Sequence, residues 1–271
     1  PFAFAGRGKR TSQMLRWKEK EDVEARFFEV DDTVERWKSY LDDVSENLHA
    51  EFRDRLIISL IYHDSALEGE VITYGEIKAA IDQNIISDTS LIPAYEDTKN
   101  FYNACQVMLK QAKKSKKSLK LETIKEIHDL IAPAAAGDPY RKDNPLHRLY
   151  YHEISAPEKI SARMKKFGEW LESSAVKEMH PIQRVAEAHW ELMAIFPWLK
   201  QSGRVARVMS NYLLENAGYP LAVIHSIDRQ RYYEALKTDV ESLLLVYLEA
   251  VQATATAAIR VYQEAAGRHA S

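Results

Sequence analysis

The sequence has little of the residues that build disulfide frameworks, irregular loops or membrane spans. It carries one cysteine, Cys105, in 271 residues, which excludes an internal disulfide. Nine glycines and nine prolines are few for this length, and long segments rich in Ala, Glu, Lys and Leu favour an all-α protein. The longest apolar runs, such as 243–248, are shorter than the roughly 20 residues that a membrane-spanning helix needs. We therefore expect a helical protein that does not cross a membrane.

The chain also lacks a charge excess of either sign. Its formal net charge is −3, which provides no strong field for binding nucleic acid. Lysines cluster between 110 and 120, but aromatic residues are not interleaved with them, so a solvated helix end is favoured over a lipid or nucleic-acid patch. No secretory signal is recognised, and we expect a cytoplasmic protein with no nucleic-acid or membrane partner. The oligomeric state is not indicated.

Apolar residues spaced three or four apart predict most of the helices. Such spacing is found at 33–64, 103–120, 121–131, 156–172 and 238–267. Residues 1–30 are expected to form an extended or weakly helical arm, and 82–100 a polar loop with at most a short helix. Thr73 and Glu76 have the spacing of a capping box at the start of another helix.

One stretch, 189–208, predicts helix, broken loop and helix, and the rest of the chain is interpreted around it. Pro197 interrupts the first helix, and Ser202 is a suitable N-cap for a second helix from Gly203 to about 216. A helix N-terminus presents unpaired N–H groups and the positive end of a macrodipole. Because Arg204 and Arg207 lie on the first turn, the sequence predicts an anion site here, most naturally for phosphate.

The same stretch resembles the signature of Fic (Fido) domain proteins, His-Pro-Phe-x-Asp/Glu-Gly-Asn-Gly-Arg-x-x-Arg, followed by a helix that ends in Gly-Tyr-Pro. The motif falls on residues 196–207, and Gly-Tyr-Pro recurs at 218–220. Four motif positions match: Pro197, Gly203, Arg204 and Arg207. The resemblance implies a Fic-type helical bundle with a short β-hairpin flap. It divides the chain into an N-terminal arm and helix at 1–49, a Fic-like domain at 50–245 and a C-terminal helix extension at 246–271.

The residues that carry the family's chemistry are replaced in this motif. Phe196 stands where the family has its general-base histidine, and Lys200 where it has the acidic magnesium ligand. Gln201 and Ser202 stand where the family has glycine and asparagine. We therefore assign no catalytic residue and no metal ligand. The expected ligand- or phosphate-binding residues are Lys200, Ser202, Gly203, Arg204 and Arg207.

A second stretch, 64–69, resembles the N-terminal inhibitory segment of many Fic proteins, Ser/Thr-x-x-x-Glu-Gly/Asn. In the family, its glutamate pairs with the second motif arginine. Here the glutamate is Glu68, and Asp64 replaces the hydroxyl residue at the first position. The resemblance predicts a bidentate contact between Glu68 and Arg207, so that Glu68→Ala would strengthen nucleotide binding. The alternative is that Ser65 and Glu68 form only a capping box.

Further matches extend the resemblance. Gly137-x-x-Tyr-Arg141 is similar to the sequence that precedes the family's flap, and the aromatic content of 146–154 is compatible with a short hairpin. His180-Pro-Ile resembles the start of the helix that delivers the motif. A protein partner at the flap, near 141–154, is what the resemblance implies.

Three functions fit these observations. The first is a pseudoenzyme, inactive in AMP transfer, that binds a nucleotide, a phosphorylated ligand or a protein. The second is a working transferase of AMP, phosphate or another phosphate-containing group that uses non-standard residues. The third is an interaction scaffold whose pocket is filled by Phe196 and Trp198. No cofactor is required in the first reading, and ATP or another nucleotide would bind without magnesium because Lys200 supplies the positive charge.

Overall fold

The computed structural model describes residues 13–82, 92–114, 119–137, 139–145 and 152–269, with side chains from residue 23 to 266. These ranges are helical and contain no strand, which confirms the all-α prediction; most of the expected hairpin, 146–151, lies outside them. The helices are α1 (Gln13–Leu41), α2 (Glu46–Glu68), α3 (Tyr74–Ile81), α4 (Ile92–Lys114), α5 (Leu121–Ile131), α6 (Pro157–Glu172), α7 (Ser174–Glu178), α8 (Pro181–Ile195), α9 (Ser202–Asn216), α10 (Arg229–Thr238) and α11 (Val240–His269). Short 3-10 helices occupy Pro133–Ala135 and Ser226–Asp228.

Helix α9 lies at the centre of the bundle. It packs against α4, α5 and α8, and α8 in turn packs against α11. Each residue from Ser202 to Leu214 is buried, including several polar ones. A helix buried on every side must satisfy its polar side chains internally, because burying an unpaired polar group is unfavourable. The two arginines near its N-terminus, Arg204 and Arg207, therefore need partners within the protein.

Helices α1 and α11 run side by side in the same direction. Tyr40, near the end of α1, accepts a hydrogen bond of 2.7 Å from Gln263, near the end of α11. Arg26, earlier in α1, acts electrostatically on Glu249, earlier in α11. In both contacts the residue on α11 follows its partner on α1 by the same number of positions in the sequence. This constant offset is what two parallel helices produce. The expected domain boundaries at 49/50 and 245/246 fall inside α2 and α11.

Helix α11 contains a long apolar segment. Residues 240–266 are long and apolar enough to cross a membrane by length and composition, with a mean hydropathy of 1.5. In the fold, 61% of the 18-residue apolar window within this segment is buried, and the helix packs against α1, α8 and α10. The core helix of a folded domain can be as apolar as a membrane span. The packing of α11 is that of a core helix.

Two segments differ from the sequence-based expectation. The arm expected at 1–30 is helical from Gln13 onward, because α1 packs along α11 and buries Val30 and Val34. The loop expected at 82–100 gives way to α4 at Ile92. Pro93 does not prevent this, since proline is tolerated in the first turn of a helix, where its missing N–H has no partner.

The segment that resembles the inhibitory motif is the end of α2. Its Gly69 follows Glu68 in the left-handed conformation, with φ of 87°, and ends the helix. Ser65 and Glu68 thus lie in the last turn of α2, and the capping-box alternative, which needs a helix start, is wrong for them. The capping box of Thr73 and Glu76 at the start of α3 is present as predicted.

Candidate functional site

The loop between α8 and α9 has an unusual backbone at both ends. Phe196 ends α8 with φ of 49°, and Gln201 precedes α9 with φ of 67°. These are the two non-glycine residues with positive φ among the described ranges. Gln201, not Ser202, is the N-cap residue. The expectation for Ser202 was wrong because its hydroxyl bonds back to Trp198, donating to the carbonyl at 2.8 Å and accepting the amide at 3.0 Å.

The aromatic residues of this loop are buried in the core. Phe196 is 1% exposed and meets the ring of His152 edge-on at 6.2 Å. Trp198 is 5% exposed and stacks on His128 with the ring centroids 4.3 Å apart. Both side chains therefore fill space next to the motif, and neither carries a group that could accept a proton from a substrate hydroxyl.

Arg141 holds the loop in place through its backbone oxygens. Its amide donates to the carbonyl of Pro197 at 2.9 Å, and its Nε donates to the carbonyl of Phe196 at 2.6 Å. Its other guanidinium nitrogens donate to the carbonyls of Asp143, Ser155 and Ile195 and to the side-chain oxygen of Asn144. All of these acceptors are neutral, and burial lowers the pKa of Arg141. Sequence inspection could not identify this role, because backbone acceptors leave no pattern in the sequence.

The arginines of α9 face carboxylates from the end of α2. Asp64, 2% exposed, accepts a hydrogen bond of 2.9 Å from Nε of Arg204 through Oδ2 and one from Nε of Arg207 through Oδ1. Glu70 accepts from Nη2 of Arg204, and Gln201 accepts from its Nη1 at 3.2 Å. Both arginines are 4% exposed. One carboxylate therefore bridges the two motif arginines.

Glu68 and Arg207 are in contact as predicted, but the predicted bidentate fork is not formed, because two of the three guanidinium nitrogens bind other partners. Nη2 of Arg207 donates to Oε1 of Glu68 at 2.5 Å. The guanidinium does not serve Glu68 alone, since Nε donates to Asp64 and Nη1 donates to the Tyr232 hydroxyl at 3.2 Å. The same Glu68 oxygen lies over Gly203. A Cβ atom added to Gly203 would lie 2.3 Å from this oxygen. A carboxylate of this chain thus occupies the space next to the N-terminal turn of α9.

The pKa values of the arginines reflect these partners. Burial alone would lower the pKa of Arg204, but Asp64 and Glu70 outweigh burial and raise it. The pKa of Arg207 is also raised, with Asp64 opposing the effect of burial. Both guanidinium groups are therefore fixed as cations, and their positive charge is balanced inside the protein.

A chain of hydrogen bonds leads from Arg207 into the core. The Tyr232 hydroxyl, which accepts from Arg207, lies 2.9 Å from Nε2 of His189. Nδ1 of His189 lies 2.8 Å from the Tyr247 hydroxyl, which donates to Ser210, and Ser210 donates to the carbonyl of Ala206. For every hydroxyl to donate once, His189 must be neutral with its proton on Nδ1. Burial and Arg207 lower the pKa of His189 to about 3, in agreement with a neutral imidazole.

The remaining predicted ligand residue, Lys200, is exposed in the loop. It holds the family's metal-ligand position but cannot ligate a cation, and the nearby carboxylates of Asp64, Glu68 and Glu70 bind arginines instead. The described residues also contain no group of three or more His, Cys, Asp or Glu side chains placed to hold a metal. The residues of this site do not fit magnesium.

A cleft of about 710 Å³ opens beside the motif loop. It is lined by residues of α5, by residues 137 and 139–142, by the start of α6 and by Trp198. Trp198 is thus the motif residue that reaches both the core and this open surface. Arg141 and Lys142, at the start of the expected partner-binding segment near 141–154, line this cleft, and residues 146–151 lie outside the described residues.

The sequence predicted part of this arrangement. The structure brings together Gly203, Arg204, Arg207 and Glu68, as the motif spacing implied, and leaves Lys200 on the surface. The bridging role of Asp64 and the contribution of Glu70 were missed. The available signal was the acidic spacing at 64, 68 and 70, which places two carboxylates one turn apart and a third just beyond the helix end.

Comparisons with known proteins agree with the motif. The family model of the Fic/DOC family matches residues 118–214. A protein named protein adenylyltransferase Fic from Nematostella vectensis is 29% identical over 180 residues, covering 65% of this chain and 42% of that protein. The protein of the same name from Drosophila ananassae is 28% identical over 188 residues, covering 65% and 36% respectively. The chain thus spans less than half the length of these relatives.

Solved structures share the fold. A Fic-domain-containing signalling protein from Bacteroides thetaiotaomicron superposes with a TM-score of 0.77 at 22% identity, covering 87% of this chain and 98% of that one. Fic-1 from C. elegans superposes with a TM-score of 0.71 at 22% identity, covering 91% and 72%. At these identities the likeness concerns the fold. The matched family model, the relatives and the shared fold together show that this chain carries a Fic domain.

Proposed function

We propose that this Fic domain is a pseudoenzyme, which binds a partner without transferring AMP. The observation that carries the proposal is the state of its two motif arginines. Arg204 and Arg207 are buried, and each pairs with two of the three carboxylates at 64, 68 and 70. A donor phosphate could bind these cations only after the carboxylates at 64, 68 and 70 release them.

The missing base supports the same conclusion. General-base catalysis typically contributes about 10²–10⁴-fold to a rate, and Phe196 has no titratable atom. The buried histidine of the preceding helix, His189, is not a substitute. Both of its ring nitrogens are engaged by hydroxyl groups in the core, and its pKa is lowered to about 3. A target hydroxyl would therefore reach no proton acceptor at the family's position.

The charge at the phosphate position also argues against transfer. Phosphoryl and adenylyl transfer depend on positive charge that neutralises the reacting phosphates. In this chain, Lys200 stands at the position of the acidic metal ligand and the two arginines are already neutralised. Among the described residues of the motif, 196–207, Lys200 is the exposed cation, and its charge would suit weak, metal-independent binding of a nucleotide better than catalysis.

The binding function is assigned to the open side of the motif loop. The cleft next to Trp198 is large enough for a ligand or a side-chain cluster of a partner, since ligand pockets usually measure about 300–1,000 Å³. Arg141 fixes the loop beside it. We infer a protein partner that meets the chain near 141–154, in the cytoplasm, without nucleic acid or membrane.

An active transferase is the second candidate. The observation in its favour is that the relatives at 28–29% identity are named adenylyltransferases. Such an enzyme would need a base other than residue 196 and a phosphate-binding group other than the paired arginines. The pocket-filling scaffold, in which Phe196 and Trp198 close the site, differs from the pseudoenzyme only in binding no small ligand.

One experiment separates these functions. Purified protein is incubated with α-labelled ATP and a cell lysate, with and without magnesium, and the Nematostella relative serves as the positive control. We expect label on proteins in the control and none above background with this chain. Magnesium-dependent labelling by this chain that is lost in Arg207→Ala would overturn the pseudoenzyme proposal. Binding of ATP without transfer, unchanged by EDTA, would favour the pseudoenzyme over the scaffold.

A further inference from the structure

Asp64 occupies a position between the two motif arginines. It lies on α2 one turn before Glu68, so the two side chains share a helix face. Its two carboxylate oxygens serve different partners, Oδ2 binding Arg204 and Oδ1 binding Arg207, and both bonds come from Nε atoms. The side chain is 2% exposed. No other described residue is paired with both arginines.

Glu68 has a narrower role at this site. It binds Arg207 through Nη2, and its side chain is 13% exposed. If Glu68 were removed, Nε of Arg207 would still donate to Asp64, and Nη1 would still donate to Tyr232. Arg204, which does not contact Glu68 in any described hydrogen bond, would keep Asp64, Glu70 and Gln201. Both guanidinium groups would remain directed away from a ligand.

Charge balance leads to the same result. The two arginines face three carboxylates, which gives the paired cluster a net charge of −1. Removal of Glu68 brings this cluster to zero, which still offers a phosphate no net attraction. The loss of Asp64 as well leaves a net positive charge next to the N-terminal turn of α9, where N–H groups and the helix dipole favour an anion, and it is the one further loss that removes a carboxylate from both arginines.

We propose that Asp64 keeps the N-terminal end of α9 closed to phosphate-bearing ligands even when Glu68 is removed, so that closure is a permanent part of the fold. The proposal deepens the proposed function, since it concerns the same site and takes the first turn of α9 as the place where phosphate would bind. It states that the family's hydroxyl position has here become a structural anion. The sequence alone predicts that Glu68→Ala strengthens nucleotide binding. The structure replaces this with the expectation that both Asp64 and Glu68 must be removed before nucleotide binding strengthens.

The test is calorimetric titration with ATP, with and without EDTA. Four variants are compared with the wild type: Glu68→Ala, Asp64→Ser, the double variant of these two, and Glu70→Ala as a matched control that removes the exposed carboxylate. We expect only weak ATP binding, of similar affinity, by the wild type, Glu68→Ala and Glu70→Ala. We expect the double variant to bind ATP at least about tenfold more tightly than any single variant.

Each outcome decides the proposal. ATP binding by Glu68→Ala as tight as that of the double variant would overturn it, and this arm remains decisive if the Asp64 variants fail to fold, because Asp64 is intact in it. A folded double variant that binds no ATP would also overturn it. Failure of the proposed function is distinguishable, since it appears as AMP transfer by the wild type in the labelling assay and not as a change in binding among these variants.

Discussion

Buried arginines flank the motif loop on two sides, and their partners differ in charge. Arg141 donates to carbonyl and amide oxygens, whereas Arg204 and Arg207 donate mainly to carboxylates. Burial lowers the pKa of Arg141, while the carboxylates raise the pKa values of the other two. The neutral partners hold the backbone of the loop and leave its shape intact. The charged partners neutralise the cations that a phosphate would need. The loop is thus held in a fixed shape next to two arginines whose positive charge is already balanced.

The largest effect is expected from removing the shared carboxylate. Asp64→Ala should lower the free energy of unfolding by about 3–5 kcal/mol, because it leaves buried cations without their main counter-charge. The measurement is equilibrium unfolding in urea. Glu70→Ala is the matched control, since its side chain is 58% exposed and should contribute at most about 1 kcal/mol. Equal effects of the two substitutions would show that burial does not distinguish them.

A smaller loss is expected on the neutral side of the loop. Arg141→Lys should lower the free energy of unfolding by about 2–3 kcal/mol, because an ammonium cannot reproduce the planar fork that reaches several carbonyls at once. Lys142→Ala, next in the chain and exposed, should change it by less than about 0.5 kcal/mol. If Arg141→Lys is as stable as the wild type in the same urea titration, the loop is held by other contacts.

The buried histidine behind Arg207 gives a pH signature. The pKa of His189 is lowered in the folded protein to about 3 from 6.5, so the unfolded chain binds more protons between these values. Stability should therefore fall as pH decreases below 6.5, by about 1.4 kcal/mol per pH unit for this residue. His189→Gln should reduce the slope of unfolding free energy against pH by that amount between pH 6 and 4. His63, whose pKa is lowered to about 4, contributes a similar slope that the variant retains. An unchanged slope would mean that His189 is protonated in the folded state.

The smallest effect concerns the strained end of the loop. Gln201 adopts φ of 67°, a conformation that costs an L-residue about 1–2 kcal/mol and glycine little. Gln201→Gly restores the family residue and should stabilise the protein by up to about 1 kcal/mol, because the lost hydrogen bond to Arg204 and the added chain entropy oppose the relief of strain. The measurement is again the urea midpoint. Destabilisation above about 1 kcal/mol would assign the side chain a larger role.

The fold could be predicted from local patterns more fully than the site. The bounds predicted for α5, residues 121–131, agree with the structure, because its apolar face repeats regularly and Pro133 follows its C-terminal end. The start of α4 at Ile92 was missed, since Pro93 was interpreted as a loop signal and not as a first-turn proline. The start of α1 was missed because its helical state depends on packing against α11, about 220 residues away.

Within the site, the family resemblance led to Glu68 and Arg207, whose contact the structure contains. It did not lead to Asp64, which appeared only as a departure from the motif. A short acidic side chain reaches an arginine only if two helices pack closely, and that distance is set by the whole bundle. The capping role expected for Ser202 failed for a similar reason, because its hydroxyl finds both an acceptor and a donor in the tight turn at Trp198.

The parallel arrangement of α1 and α11 has a mechanical consequence. When force is applied between a point before α1 and a point after α11, the two helices are pulled in opposite directions along their common axis. All contacts between them then resist together in shear, instead of opening one after another as in an antiparallel pair pulled from one end. In a single-molecule pulling experiment, this Fic domain should therefore resist extension until a high force and then yield in one abrupt event.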